Sequence, residues 1–260
     1  MTNNHFKIII PLYNSEQWIH KTIKSLELQE YKNFECIIID DCSTDNSYEV
    51  AKKSIAGKEN YKLYSNKNNL GPLANAYRGA MGLCSNLEDE NIVAILDGDD
   101  FLFSPKSLSI LNEKYQDQNC WMTYGSYINL SDKKRGKFSR QVPDHVIKSN
   151  GYRSYEWCTS HMRTYKSFLL KNVNIDDLLD EKGNFYRAAG DLALMFPLLE
   201  MSGENAKYIK DILYIWNDLS PLNEHKNKRD VQLFCESQIR NGKRYSKLNY
   251  TRGNKIESKS

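Results

Sequence analysis

Residues 91–100 read NIVAILDGDD, a short apolar run that ends abruptly at an acidic group. The run has the length and the continuous apolarity of a strand that is buried on both faces. Three carboxylates, those of Asp97, Asp99 and Asp100, follow it with only Gly98 among them. Neighbouring carboxylates repel each other and are costly to bury without a partner. The stretch therefore predicts a buried strand with a site for a cation at its carboxyl end.

Three runs of the same kind come earlier in the chain, and a helical pattern follows each strand. FKIII at 6–10, FECIIID at 34–40 and YKLYSN at 61–66 predict strands, with the fourth at 91–97. Amphipathic stretches between them predict helices, one of them over 47–55. This alternation predicts an α/β fold with a mostly parallel, doubly wound sheet.

Local signals predict where two of the helices begin. Asn14 followed by Gln17 has the spacing of a capping box, so a helix is expected to follow. Ser104 and Pro105 place a proline at the first position of another helix.

The second half of the chain is less regular. WMTYGSYI at 121–128 predicts a strand, and the polar, basic residues 129–157 are typical of long loops. Residues 190–200 predict a helix that Pro197 either kinks or restarts. Residues 207–217 predict one or two further strands.

Polar motifs follow each of the first four predicted strands. Tyr13 and Asn14 come after the first, DDCSTD at 40–45 after the second, and Asn69 and Gly71 after the third. The acidic group comes after the fourth. Because ligands bind beyond the carboxyl ends of the strands in such sheets, we expect the four loops to converge on one site.

The segment Asp97-Gly98-Asp99 is the best candidate for holding a metal ion. Its hard oxygen ligands suit Mg²⁺ or Mn²⁺, which keep several waters and take substrate phosphates as further ligands. The alternative is a solvated acidic turn with Gly98 in a left-handed conformation. Asp41 is the candidate in the second loop, where helix capping explains its neighbours better than it explains Asp41 itself.

Taken together, these motifs resemble the family 2 glycosyltransferases. The motifs PLYN at 11–14, IIIDDCSTDNS at 37–47, NLGPLANAYRGA at 69–80 and ILDGDD at 95–100 match that family in order and spacing. The resemblance is specific over 6–130, weaker to about residue 220 and absent from the tail. It implies the glycosyltransferase A-type fold, with an irregular acceptor-binding half.

The resemblance also implies a domain organisation. Residues 1–225 would form the glycosyltransferase domain, with a nucleotide-sugar-binding half over 1–128 and an acceptor-binding half over 129–225. Residues 226–260 would form a basic C-terminal helix or tail.

Donor-site roles follow from the same resemblance. Asp41 would bind a uracil-type base, Asp97 would contact ribose or the metal, and Asp99 would be the direct ligand of Mn²⁺ or Mg²⁺. Arg78 would approach phosphate, unless it is an ordinary surface charge. The implied nucleotide-sugar-binding residues are Pro11, Tyr13, Asn14, Asp41, Arg78, Asp97, Gly98 and Asp99, with Asp97 and Asp99 as metal ligands.

The implied reaction inverts the anomeric carbon and needs a general base. The family takes this base from an aspartate near the start of a helix in the second half, which here matches Asp191. Gly190 replaces the acidic neighbour that is usual there. The alternative interpretation is that Asp191 only caps the N-terminus of its helix. The fallback bases are the upstream carboxylates Asp176, Asp177, Asp180 and Glu181.

Further candidates lie in the acceptor half. His161 and Arg163 are expected to hold an acceptor or the leaving diphosphate, or His161 is a structural histidine. His225 lies where some relatives place a metal ligand or a diphosphate contact. Trp157 and Trp216 either stack on sugar rings or belong to the core.

Charge and composition narrow the classes of partner and compartment. The 260 residues carry a net charge of +3, which does not indicate nucleic acid, but residues 226–260 carry ten Lys/Arg and three Asp/Glu. That basic segment is interpreted as a solvated tail or as a contact with an anionic membrane surface. Six cysteines without metal-type pairing, and no apolar stretch near the ~20 residues of a membrane span, predict a cytoplasmic or membrane-peripheral protein.

The predicted function is inverting, metal-dependent transfer of one sugar from a nucleotide sugar, with UDP favoured, to a glycan or lipid-linked saccharide. The lack of a Gln-x-x-Arg-Trp motif favours single addition over polymer synthesis. A nucleotidyltransferase would need a glycine-rich basic loop after the first strand, and a dinucleotide oxidoreductase would need G-x-G-x-x-G there. Residues 11–18, PLYNSEQW, contain neither feature, which argues against both classes of enzyme. A non-catalytic sugar-nucleotide or glycan-binding module remains the alternative.

Overall fold

The structure, a computed structural model, describes residues 3–221 and 229–250. These residues contain one eight-stranded mixed sheet. Its strands are β1 (Phe6–Leu12), β2 (Phe34–Asp40), β3 (Tyr61–Ser65), β4 (Ile92–Ile95), β5 (Phe101–Leu102), β6 (Met122–Asn129), β7 (Thr164–Lys166) and β8 (Ala206–Trp216). They lie in the order β3-β2-β1-β4-β7-β6-β8-β5.

Helices cover both faces of this sheet. They are α1 (Ile19–Glu27), α2 (Ser47–Ser54), α3 (Pro72–Arg78), α4 (Ser107–Lys114), α5 (Asp144–Lys148), α6 (Ser167–Lys171), α7 (Gly190–Ser202) and α8 (Arg229–Asn241). One hydrophobic cluster joins strand residues such as Ile9 and Ile37 to α3 and α7. A second joins Ile8 and Ile38 to α1 and α4. Residues that alternate along a strand thus serve opposite layers, as a strand buried on both faces requires.

The first half of the sheet is as the sequence predicts. Strands β1 to β4 are parallel neighbours, with Ile9 opposite both Ile37 and Ile95. Their bounds lie within about two residues of the predicted ones, because continuous β-branched runs are buried over their whole length. The predicted α/β fold is confirmed.

The centre of the sheet differs from the prediction. Strand β7, only three residues long, inserts between β4 and β6 and runs antiparallel to both. All three of its residues are buried, and Lys166 pairs with Glu90 at 3.0 Å. No strand was predicted there, because β7 is short and contains no apolar run. Neighbouring contacts, and not local propensity, hold it in the sheet.

Both predicted helix starts are wrong in detail. Pro105 lies in the turn before α4, which begins at Ser107. Asn14 caps no helix, because α1 begins at Ile19 without a side-chain cap. Instead, Asn14 has φ 44° and accepts a hydrogen bond from the amide of Thr44 at 2.8 Å.

The second half contains more regular structure than its sequence suggests. The predicted long loop includes the short helix α5. Helix α7 runs through Pro197 as a single element with almost every side chain buried. Strand β8 is one strand of 11 residues, and its register against β6 shifts twice near Ser126.

Much of the basic C-terminal segment packs on the body of the protein. Helix α8 lies against α7, and the Tyr250 ring stacks on Phe168 with centroids 3.8 Å apart. The buried pair Arg153–Glu200 holds this segment, since Arg153 donates to the carbonyl of Ile239 at 2.6 Å. Over residues 229–250 the predicted basic segment is thus a helix followed by an irregular stretch; Cys235 and Ile239 are buried, and most of the other side chains are exposed. Helices within the described residues are all too short or too polar to cross a membrane.

Candidate active site

The carboxyl ends of β1, β2 and β4 open into a cavity of about 720 Å³. Loops after all four predicted strands reach it, as expected, and the start of α7 and the end of β8 complete its wall. The predicted site residues that line it are Pro11, Tyr13, Asp41, Asp97, Gly98, Asp99, His161, Arg163 and Asp191.

The acidic turn after β4 packs tightly against β1. The amide of Gly98 donates to the carbonyl of Pro11 at 3.1 Å, and a Cβ on Gly98 would lie 2.9 Å from that oxygen. Gly98 is not among the residues with positive φ, so the left-handed alternative is wrong. Close approach of two backbones, and not a left-handed conformation, requires glycine here.

Asp100 is the structural member of the acidic group. Its side chain is buried and accepts hydrogen bonds from the Tyr214 hydroxyl at 2.6 Å and from the Asn217 amide at 2.7 Å. Burial, together with the charges of Asp99 and Asp97, raises the pKa of Asp100 well above its usual range. These contacts fasten the turn to the end of β8.

Asp97 and Asp99 present carboxylates to the cavity in an environment that disfavours their charge. The Asp97 side chain is 32% exposed at the cavity wall. Burial raises its pKa, and Asp191 adds to the shift while Arg163 opposes it. Burial raises the pKa of Asp99 to about 6, although a hydrogen bond from Ser220 lowers it. A bound cation would relieve this charge penalty.

One group of side chains has the spacing of a metal site. Ligand atoms of Asp97, Asp100 and His161 all lie within 4.8 Å of one another. Two carboxylates and an imidazole suit Mn²⁺, so the residues fit the predicted metal. Asp99 does not belong to this group but lines the same cavity. Its assignment as the direct ligand stays a prediction.

Arg163 lies between the acidic turn and the start of α7. Its Nη2 lies 3.7 Å from Asp97 Oδ2, and its Nη1 lies 3.8 Å from Asp191 Oδ2. His161 Nδ1 lies 3.3 Å from Nη2. The His161 ring stacks on Tyr214, with centroids 4.5 Å apart and planes at 11°. The candidates His161 and Arg163 therefore both lie beside the acidic turn.

Asp191 reaches the cavity from the first turn of α7. The N-cap position belongs to Ala189, with φ 54°, and has no side-chain hydrogen bond. One Asp191 oxygen accepts from the Leu192 amide at 3.0 Å, and the other faces Arg163. Asp191 thus supports the helix start and also offers an oxygen to a ligand. The fallback bases Asp176, Asp177, Asp180 and Glu181 do not line the cavity.

Asp41 organises the loop after β3. Its carboxylate accepts from the amides of Leu70 and Gly71, both at 2.8 Å, and from the side chain of Asn66 at 2.9 Å. The side chain is buried but borders the cavity. Base binding by Asp41 stays a prediction, added to a structural role that the sequence did not reveal.

The remaining candidates are divided between the cavity and its surroundings. Trp216 lines the cavity, whereas Trp157 packs on Phe196 away from it. Arg78 is exposed on α3, donates to Asn66 and does not line the cavity, so its phosphate role stays a prediction. His225 lies outside the described residues.

Arg187 and Gln232 were missed at the level of sequence. Arg187 lines the cavity and donates to the side chain and the carbonyl of Asn69, at 2.8 and 2.7 Å. Its only sequence signal is its position four residues before Asp191. Gln232 lines the cavity from α8, in a segment that the sequence assigned to the tail.

Comparison with known proteins identifies the family. The family profile described as Glycosyl transferase family 2 matches residues 7–175, more than half of the chain. The chain belongs to this family. Membership confirms the resemblance that the four motifs carry and makes the protein a member of a family of transferases.

Several curated relatives match parts of this family 2 chain. An uncharacterized glycosyltransferase of Haemophilus influenzae is 35% identical over 120 residues, 46% of this chain and 46% of the relative. Another, of Rickettsia conorii, is 31% identical over 150 residues, 58% of this chain and 23% of the relative. The Staphylococcus aureus poly(ribitol-phosphate) beta-N-acetylglucosaminyltransferase TarS is 27% identical over 182 residues. The chain spans less than half of the length of each relative.

Solved structures share the fold. A TarS fragment in complex with UDP-GlcNAc has a TM-score of 0.61 at 19% identity, over 82% of this chain and 58% of that one. Glucosyl-3-phosphoglycerate synthase of Mycobacterium tuberculosis, in complex with Mn²⁺, UDP and glucosyl-3-phosphoglycerate, has a TM-score of 0.59 at 17% identity, over 96% and 84%. Both are glycosyltransferase A-type structures, so the predicted fold type is confirmed.

Proposed function

We propose that the protein transfers a single sugar from a nucleoside-diphosphate sugar, with UDP favoured, to a hydroxyl group of a glycan or lipid-linked saccharide. The transfer is metal-dependent and inverts the anomeric carbon. One observation supports this above all: the acidic turn at Asp97 and the candidate base Asp191 face one cavity, and Arg163 lies within 4 Å of both.

The structural relatives support the choice of donor class. TarS was solved with UDP-GlcNAc, glucosyl-3-phosphoglycerate synthase with Mn²⁺ and UDP, and a Pyrobaculum calidifontis mannosyltransferase with GDP-Man and Mn²⁺. The nucleotide in each of these complexes is either a nucleoside-diphosphate sugar or the nucleoside diphosphate that its transfer releases. By analogy, the cavity takes the nucleotide at the loops after β1 to β3 and the sugar toward α7.

The chain's own residues supply positioning, a base and electrostatic stabilisation. Asp191 Oδ2 takes the proton of the acceptor hydroxyl, whose oxygen attacks the anomeric carbon from the face opposite the diphosphate. Asp41 orders the nucleotide-side loop, and Asp100 fixes the acidic turn on β8. A divalent ion at Asp97 with Asp99, or with Asp100 and His161, would neutralise charge on the departing diphosphate as a Lewis acid.

A thermal-shift panel tests the donor site. UDP, GDP, dTDP and CMP are each added with and without Mn²⁺. A ligand at 100 times its Kd contributes about 2.7 kcal/mol of stability, which is an easily measured shift. We expect a metal-dependent shift with one diphosphate, UDP first, that is lost in Asp99→Ala. The absence of any nucleotide shift would count against the proposed function.

The alternative function is a non-catalytic binding module on the same fold. It would keep nucleotide binding but have no working base. Release of UDP from UDP-GlcNAc and UDP-glucose separates the two functions. Turnover that falls by about 100-fold or more in Asp191→Asn supports the enzyme. Nucleotide binding without turnover, and without any effect of Asp191→Asn, supports the module.

A further inference from the structure

Arg163 is nearly buried, yet the protein uses little of its hydrogen-bonding capacity. Its side chain is 9% exposed, and its Nε has no hydrogen-bond partner among the described residues. Within residues 3–221 and 229–250, His161 Nδ1 is the one atom within hydrogen-bond distance of its terminal nitrogens, 3.3 Å from Nη2. A guanidinium carries five N–H donors, of which the one on Nε is buried here without a partner, at a cost in free energy. The side chain lines the cavity, so a ligand there can reach its terminal nitrogens. Such an arginine is expected where a ligand supplies the acceptor.

The distances to the two carboxylates define what that ligand group is. Hydrogen bonds from nitrogen to oxygen span roughly 2.7–3.2 Å. The 3.8 Å between Nη1 of Arg163 and Oδ2 of Asp191 is too long for a direct bond. It suits two groups that share one oxygen atom, placed about 2.9 Å from each. A hydroxyl satisfies both, because its oxygen accepts from the arginine while its proton is donated to the carboxylate.

We propose that the acceptor hydroxyl binds between Arg163 Nη1 and Asp191 Oδ2, so that Arg163 is a second substrate-binding residue beside the base. The proposal rests on the proposed function. As the new bond from oxygen to the anomeric carbon forms, the proton moves to Asp191 Oδ2. The bond from the anomeric carbon to the diphosphate oxygen breaks, and its electron pair leaves with the nucleoside diphosphate.

The charges around Arg163 favour a neutral hydroxyl over a phosphate. Asp97 and Asp191 flank the guanidinium on two sides, and an anion placed there would meet two negative charges. Asp97 and His161 both lie against Nη2, which leaves Nη1 directed toward Asp191. Arg163 therefore orients the acceptor oxygen and stabilises the negative charge that develops on it, while the diphosphate lies on the acidic-turn side.

A double-mutant cycle tests this arrangement with UDP-GlcNAc or UDP-glucose as donor and water as acceptor. Arg163→Gln is expected to lower kcat of donor hydrolysis by about 100-fold, the loss typical of one oxyanion donor, with the donor KM within about twofold. Because both residues act on one hydroxyl, their effects on kcat are not expected to multiply. The kcat of the double variant Arg163→Gln/Asp191→Asn is expected to lie within about threefold of that of the less active single variant.

Two controls separate this role from a structural one. Arg163→Lys keeps the charge but not the planar fork, and it is expected to recover only part of kcat. Arg140→Gln removes an exposed arginine that pairs with Glu156 outside the cavity, and its kinetics are expected to match the wild type. Independent, multiplicative losses in the cycle, or a donor KM that rises with the loss of Arg163, would overturn the proposal.

A crystal structure of the complex with UDP and Mn²⁺ gives a readout that needs no turnover. We expect an ordered water or hydroxyl oxygen within about 3.2 Å of both Arg163 Nη1 and Asp191 Oδ2. A guanidinium that instead contacts the diphosphate overturns the proposal and leaves the proposed function standing. Failure of the wild type to bind any nucleotide removes the proposed function first, and this inference with it.

Discussion

The hydroxyl of Tyr214 donates a 2.6 Å hydrogen bond to Oδ2 of Asp100, which lies 114 residues earlier in the chain. The same hydroxyl oxygen accepts from the amide of Asp97 at 3.2 Å. A single side chain on β8 thus fixes both the first backbone amide and the last carboxylate of the acidic turn. The position of the candidate metal ligands depends on a contact between the two halves of the fold.

Removing this contact is expected to lower the free energy of unfolding. Tyr214→Phe leaves the buried Asp100 oxygen with one partner fewer, which costs about 1–3 kcal/mol. Asp100→Asn is expected to cost a similar amount, because an amide group cannot accept on both sides. Urea unfolding without metal measures the free energy of unfolding of both variants. As the control, Asp99→Asn is expected to lose no stability above pH 6, because it replaces a carboxylate whose pKa burial raises to about 6 by a neutral side chain that can still accept from Ser220. A larger loss in Asp99→Asn than in Asp100→Asn would reverse the two assignments.

Binding of Mn²⁺ is expected to depend on pH around the pKa of Asp99. That pKa is raised to about 6 by burial, so the folded, metal-free protein holds a proton that the unfolded chain releases near pH 3.8. The contribution of Asp99 to stability therefore falls as pH rises from about 4 to 6. A metal competes with the proton, so stabilisation by Mn²⁺ with UDP is expected to be larger at pH 7.5 than at pH 5. Equal thermal shifts at both pH values would contradict this, and Asp99→Asn is expected to flatten the dependence.

The parallel half of the sheet could be predicted because its strands are encoded locally. Strand β2, FECIIID, was placed without error, since a continuous β-branched run between polar loops has few alternatives. Strand β7 could not be placed in this way. Thr164, Tyr165 and Lys166 have no strand pattern of their own, and they are held by pairing with β4 and β6.

The residues of the candidate site likewise divide into those that local sequence motifs predict and those whose roles depend on distant partners. Asp97, Asp99 and Asp191 could be found because each follows a strand or begins a helix at a position that the family motifs mark. The roles of Asp100 and Arg187 depend on partners more than 100 residues away, Tyr214 and Asn69. No local pattern distinguishes such a carboxylate or guanidinium from a solvated one.

Glu35 is expected to govern acid stability at the end of the sheet opposite the cavity. Burial opposes its charge, but hydrogen bonds from Lys62, Lys7 and Ser85 lower its pKa to about 2. A lowered pKa contributes stability that is present above pH 4.5 and is lost as pH falls toward 2. Glu35→Gln also leaves buried Lys7 without its charge partner and is expected to cost about 3 kcal/mol at pH 7. The difference from the wild type should shrink steadily below pH 4.5. Glu156→Gln, which removes the exposed pair with Arg140, is the control and should cost under about 1 kcal/mol at every pH.

Asp41 is expected to stabilise the 69–71 loop even when no ligand is bound. Its two oxygens accept from the amides of Leu70 and Gly71, so Asp41→Asn places an amide group against one backbone N–H. We expect a loss of about 1–3 kcal/mol in urea unfolding without nucleotide. Asn66→Ala removes a neutral donor from the same carboxylate and leaves both backbone bonds in place, so it should cost less and leave UDP affinity within about twofold. If Asp41→Asn keeps full stability and loses only UDP binding, the carboxylate serves the nucleotide alone, and the ordering of the 69–71 loop must come from Arg187 and its two hydrogen bonds to Asn69.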